Sequence, residues 1–73
     1  MRKLLKDYEC KAPEEYFDIC FNSYINGQRT QAKEQFLLMT KQERKECYIY
    51  FTGFYDDPQG TRKEVLNFFF NLI

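Results

Sequence analysis

The sequence predicts an all-α protein, a small compact bundle of three to four short helices, and three features of the chain predict it. Apolar residues recur at three- and four-residue intervals through several successive segments. Helix punctuation divides those segments: Pro13, Asn26-Gly27, Thr40 and Thr61 stand where starts and stops are needed. The connections left over are about two to six residues long, which favours antiparallel neighbours. With no internal repeat or long linker, residues 1–73 read as one domain.

Residues 1–12 carry Leu4, Leu5 and Tyr8, an i, i+4 pair with a neighbour, and predict either a short helix or a flexible arm. Pro13 suits the first position of the next helix, and Glu14 and Glu15 suit its positive end. Over residues 14–26, Tyr16, Phe17, Cys20, Phe21, Tyr24 and Ile25 share an arc of roughly 180°. Ile19 alone lies off it. Asn26-Gly27 closes this helix with the residues best able to take a left-handed cap.

A helix over residues 29–39 places Ala32, Phe36 and Met39 on one seam, with Leu37 and Leu38 pointing elsewhere. Thr40-Lys-Gln-Glu43 then fits a capping box: the Thr40 hydroxyl accepts from the Glu43 amide and the Glu43 carboxylate reaches back. The helix it opens, residues 41–55, aligns Cys47, Tyr50, Phe51 and Phe54, with Tyr48 and Tyr55 on the flank and Ile49 directed away. A strand is the competing reading for Tyr48 to Thr52, and Asp57-Pro58-Gln59-Gly60 would suit a turn between strands. The cap and the 3.6-residue spacing favour helix, although Gly53 costs about 1 kcal/mol inside one.

Thr61-Arg-Lys-Glu64 repeats the capping pattern and opens a helix over residues 61–73. Val65, Phe68, Phe69 and Leu72 share its face, Leu66 and Ile73 edge it, and Lys63, Asn67 and Asn71 make its one polar stripe. A helix this apolar is either the centre of the domain or part of an interface.

Composition limits the chemistry. The 11 basic residues cancel the 11 acidic ones, so no general attraction to nucleic acid or an anionic membrane is expected. Histidine is missing, and with it the usual general base and metal ligand. Cys10, Cys20 and Cys47 lack the close pairing of zinc sites. Cys20 and Cys47 sit on apolar helical faces, as buried small hydrophobes do. Glu14–Glu15 and Asp56–Asp57 are neighbours in sequence and diverge by about 100° on a helix, so they read as helix-end charges and turn formers. The three glycines are isolated and build no phosphate loop. The expectation is a protein that is not an enzyme and holds no cofactor or metal. No apolar run is long enough for a membrane span and no signal peptide is apparent, so the expected location is cytoplasmic.

Two functional classes remain. A helix-turn-helix would use residues 29–39 and 41–55, with Lys41, Arg44 and Lys45 at the start of the second helix as nucleic-acid contacts. Glu43 and Glu46 interleave those bases, the turn has no glycine, and a neutral chain lacks the usual phosphate affinity. The favoured reading is a non-catalytic protein–protein interaction module, a small adaptor or inhibitor of the kind a phage or mobile element could encode, self-associating as a homo-oligomer. Its evidence is an excess of apolar residues: Ile19, Leu38, Ile49 and Phe70 lie off their seams or at the edge of them.

Overall fold

A computed structural model describes residues 1–54 and 61–73, apart from the side chains of Phe54, Thr61 and Arg62. Five helices occupy those residues: α1 (Arg2–Asp7), α2 (Pro13–Ile25), α3 (Arg29–Leu37), α4 (Lys41–Phe54) and α5 (Thr61–Phe70). The described residues contain no strand, so Tyr48 to Thr52 is helical. The Asp57–Gly60 turn, Tyr55 and the Thr61 hydroxyl cap lie outside the described residues.

The short helix expected near the N-terminus is α1. It buries no residue completely and is tied down at both ends. The Met1 ammonium meets a Glu43 carboxylate oxygen at 2.7 Å, and the Tyr8 ring packs edge-on against Tyr16 at 5.1 Å. Its exit is a Schellman turn, with the Glu9 amide donating to the Lys6 carbonyl and the Cys10 amide to the Leu5 carbonyl. That turn puts Glu9 at φ 55°, where a side chain is strained.

Helix α2 starts with Pro13 after an extended Ala12, and the Lys11 amide donates to the Glu15 carboxylate. It closes on a second Schellman turn, made by Gly27 N–H to the Tyr24 carbonyl at 3.0 Å and Gln28 N–H to the Ser23 carbonyl at 2.9 Å. Gly27 is at φ 83°, so the left-handed residue here is the one that tolerates it.

Helix α3 ends at Leu37, two residues before the expected limit. The Met39 amide bonds three residues back to Phe36, which tightens the last turn and delivers the chain to Thr40. There the capping box forms as the spacing predicts: Glu43 N–H donates to Thr40 Oγ1 at 3.2 Å, and Thr40 N–H donates to Glu43 Oε1 at 2.8 Å. Helix α5 also stops early, at Phe70. The Leu72 and Ile73 amides close three-residue turns onto Phe69 and Phe70.

The buried apolar residues form one cluster, drawn from α2 to α5 and the α3–α4 turn. Phe69 is its centre. Its ring lies 6.2 Å from Tyr24 of α2, 4.8 Å from Phe36 of α3 and 5.2 Å from Phe51 of α4. Phe69 of α5 thus joins rings from three helices, while α2 is the helix packed against α1, α3 and α4. Between α2 and α3 runs a buried polar seam. Tyr16 Oη donates to the Gln35 carbonyl at 2.6 Å, and Ser23 Oγ donates to Gln35 Oε1 at 2.7 Å. Periodicity missed Ser23 and Gln35 as core residues because each is polar; burial is tolerated because each satisfies the other.

Candidate interaction surface

Two of the three thiols and the Tyr16 and Tyr24 phenols are inside, whereas most described carboxylates and lysines are at the surface. Cys20 and Cys47 are fully buried, and loss of hydration pushes the Cys20 thiol up to about 12 and Cys47 upward as well. Burial also raises the Tyr16 phenol, and raises Tyr50, whose hydroxyl donates to Asp18 Oδ1 at 3.1 Å. Cys10 is partly exposed, with its thiol raised by desolvation and then by the Glu15 charge. These groups are held in their neutral, unreactive forms. Among the described residues no cluster of carboxylates and thiols has the arrangement to hold a metal ion.

The three bases at the start of α4 do not act as one cluster. Lys41 and Lys45 are exposed. Arg44 folds back, with Nη1 donating to the Met39 carbonyl at 3.4 Å, and its Nε is buried with no hydrogen-bond partner among the described residues. Glu43, between them, is held below the usual carboxylate range by the Met1 ammonium first and the Thr40 amide second. The entry to α4 is thus a capped helix end tied to the start of α1 through Met1 and Glu43.

The off-seam apolar residues divide. Ile19 is half-buried on α2. Leu38, Ile49 and Phe70 are exposed at 58%, 66% and 61%, which for residues of this size leaves most of the side chain in water. Two further residues join them: Leu37 follows α3 to its end, and Ile25 lies in the last turn of α2. Ile25 was expected on the apolar arc of its helix, but it stands at the end, beside the Asn26-Gly27 turn where the chain leaves α2.

Two of these side chains share a groove. Leu37 and Leu38 line an open groove between α1 and the α3–α4 corner. One part of it, about 620 Å³, is bounded by Met1, Leu4, Tyr8 and Leu38 with Lys3, Asp7, Thr40 and Glu43. A second part, about 530 Å³, shares Tyr8 and Leu38 and adds Leu37 and Glu34. Elsewhere, Phe70 packs against Tyr48 at 5.8 Å, and Ile49 stands about 100° round α4 from Tyr48. The groove was hidden in the sequence because it depends on where α1 docks; the adjacent Leu37-Leu38 pair off the seam was its only trace.

No helix among the described residues is long and apolar enough to cross a membrane. Compared with known proteins, the chain matches no family model, no curated protein and no solved structure.

Proposed function

We propose that this protein is a non-catalytic protein–protein interaction module, a small adaptor or inhibitor that also associates with itself. The observation that carries the reading is the contrast between a closed core and a wet apolar surface. Phe36, Phe51 and Phe69 are 1% exposed or less, while Leu38, Ile49 and Phe70 are each more than half exposed. A core so complete leaves little internal use for those three, and large apolar side chains left this exposed support a contact role. The neutral, buried thiols and phenols support a role without catalysis. The nucleic-acid reading keeps Lys41 and Lys45 but finds Arg44 occupied by the Met39 carbonyl, so it has less support.

The test is size exclusion with light scattering on the purified protein, followed by pull-down from its native host. The protein is expected above its 9.0 kDa monomer mass or with a retained protein partner. The double variant Leu38→Glu, Ile49→Glu should lose that association with helical circular dichroism unchanged. A monomer that retains nothing would overturn the reading.

A further inference from the structure

We propose that α1 exchanges between two copies of this chain, each copy laying its α1 in the seat that the other copy's α1 vacates. The exchange rests on the interaction-module reading and gives its self-association a geometry. Both the seat and the segment that fits it are visible in the single chain. The Met1 ammonium meets Glu43 of α4 at 2.7 Å, and the Tyr8 ring stands edge-on to Tyr16 of α2 at 5.1 Å. Leu4 and Leu5, half-buried, pack against the core between these two attachments. Every copy carries the same segment and the same seat, so each of these contacts is remade between chains when two copies trade.

Three features make α1 the segment that leaves. It is six residues long and buries none of them completely, and a helix that short does not persist without a surface to lie on. Its hinge, residues 9–12, is strained: Glu9 is at φ 55°, the one non-glycine residue with a left-handed backbone among the described residues. Beyond it Ala12 is already extended and Pro13 begins α2, which fixes how the hinge can open. In one continuous helix Pro13 would lose a backbone bond and clash with the Glu9 carbonyl, so α1 and α2 do not merge. The hinge straightens instead, and four extended residues span about 14 Å.

The strain at Glu9 singles out a second copy as the occupant. Within one chain the left-handed turn is what folds α1 back, and the Glu9 and Cys10 amides close that turn onto Lys6 and Leu5. An α1 delivered by another chain arrives without the turn, whose amides pass to water. A two-fold pair therefore sheds the strain at both hinges and keeps both sets of seat contacts, which is how a short strained hinge favours swapping. A foreign helix would need the same apolar residues and an amine for Glu43, a set that α1 already carries. Opposing the exchange is the tether, which holds α1 near its own seat at an effective concentration on the order of millimolar. The pair accordingly forms as protein concentration rises.

Sedimentation equilibrium over a concentration series tests the exchange, alongside carbodiimide coupling in an equal mixture of unlabelled and isotopically heavy chains refolded together. Carbodiimide joins the Met1 amine to the Glu43 carboxylate as an amide with loss of water. Mass spectrometry of the linked peptides then reads whether both halves came from one chain. The unaltered protein should dimerise as concentration rises, and its Met1–Glu43 links should join light chains to heavy ones where the dimer prevails. Glu9→Gly relieves only the folded-back form and should weaken the dimer at least about fivefold. A variant lacking Cys10 and Lys11 has too short a hinge to fold α1 back and should be dimeric wherever it is folded. A dimer whose Met1–Glu43 links stay within one chain, or that Glu9→Gly leaves unchanged, overturns the exchange while self-association stands. An unaltered chain that is monomeric throughout overturns the second copy as partner, and the interaction reading is then decided by the pull-down.

Discussion

Thr40 and Glu43 satisfy each other's backbone amides at the start of α4, at 3.2 and 2.8 Å, while the second Glu43 oxygen holds the Met1 ammonium at 2.7 Å. One carboxylate thereby caps the longest helix and pins α1 to it. Thr40→Ala should cost about 0.5–2 kcal/mol in urea unfolding. A neutral result would mean the cap contributes nothing to stability.

The same carboxylate makes a pH prediction. Its folded pKa lies below the ordinary 4.5, so its contribution is complete above that value and is lost as pH falls through the lower, folded one. Stability should therefore drop below pH 4.5, and Glu43→Gln should flatten that part of the profile. Urea midpoints measured from neutral pH down into acid check this. At the alkaline end the sign reverses. Cys20 is raised from 9.0 to about 12, and Tyr16 and Cys47 are raised too. The unfolded chain ionises first, so stability should fall as pH climbs from 9 toward 12.

Ser23 and Gln35 share a buried hydrogen bond of 2.7 Å. Ser23→Ala leaves Gln35 Oε1 without that donor in the interior, which should cost about 1–3 kcal/mol. Ser23→Ala together with Gln35→Leu should recover part of the loss if the cost comes from the stranded acceptor. A double-mutant cycle by denaturant unfolding measures it.

Two left-handed residues should respond in opposite directions. Gly27→Ala places a Cβ at φ 83° and should destabilise by about 1–2 kcal/mol. Glu9→Gly relieves a side chain at φ 55° and should stabilise by a few tenths to about 1 kcal/mol. Thermal unfolding of the two variants against the unaltered protein gives both signs.

Thiol accessibility tests the core. A disulfide reagent under native conditions should modify Cys10 first, and Cys20 and Cys47 only at the rate of unfolding or local opening. Rapid labelling of all three would contradict the closed core.

The amino-acid order alone determined the helices and most of the core. Local causes suffice for Pro13, the Gly27 turn and the Thr40–Glu43 box, since each bonds partners within a few residues along the chain. Spacing likewise picked out Tyr16, Cys20, Phe36, Cys47, Phe51, Val65 and Phe69, because a 3.6-residue period puts them on inward faces whatever they pack against. Helix ends drifted where tight turns at Met39 and Leu72 replaced the last helical bonds, a choice that periodicity does not encode.

Tertiary structure decided the rest. Ser23 and Gln35 are core only because α2 and α3 bring one to the other, and Ile19 is half-buried although its own helix turns it off the apolar arc. The groove at Leu38 exists because α1, too short to hold itself, is fastened to α4 by Met1 and to α2 by Tyr8. Exposure is a property of neighbours rather than of sequence position. Ile49 thus became a candidate contact only once the described helices left its side of α4 open.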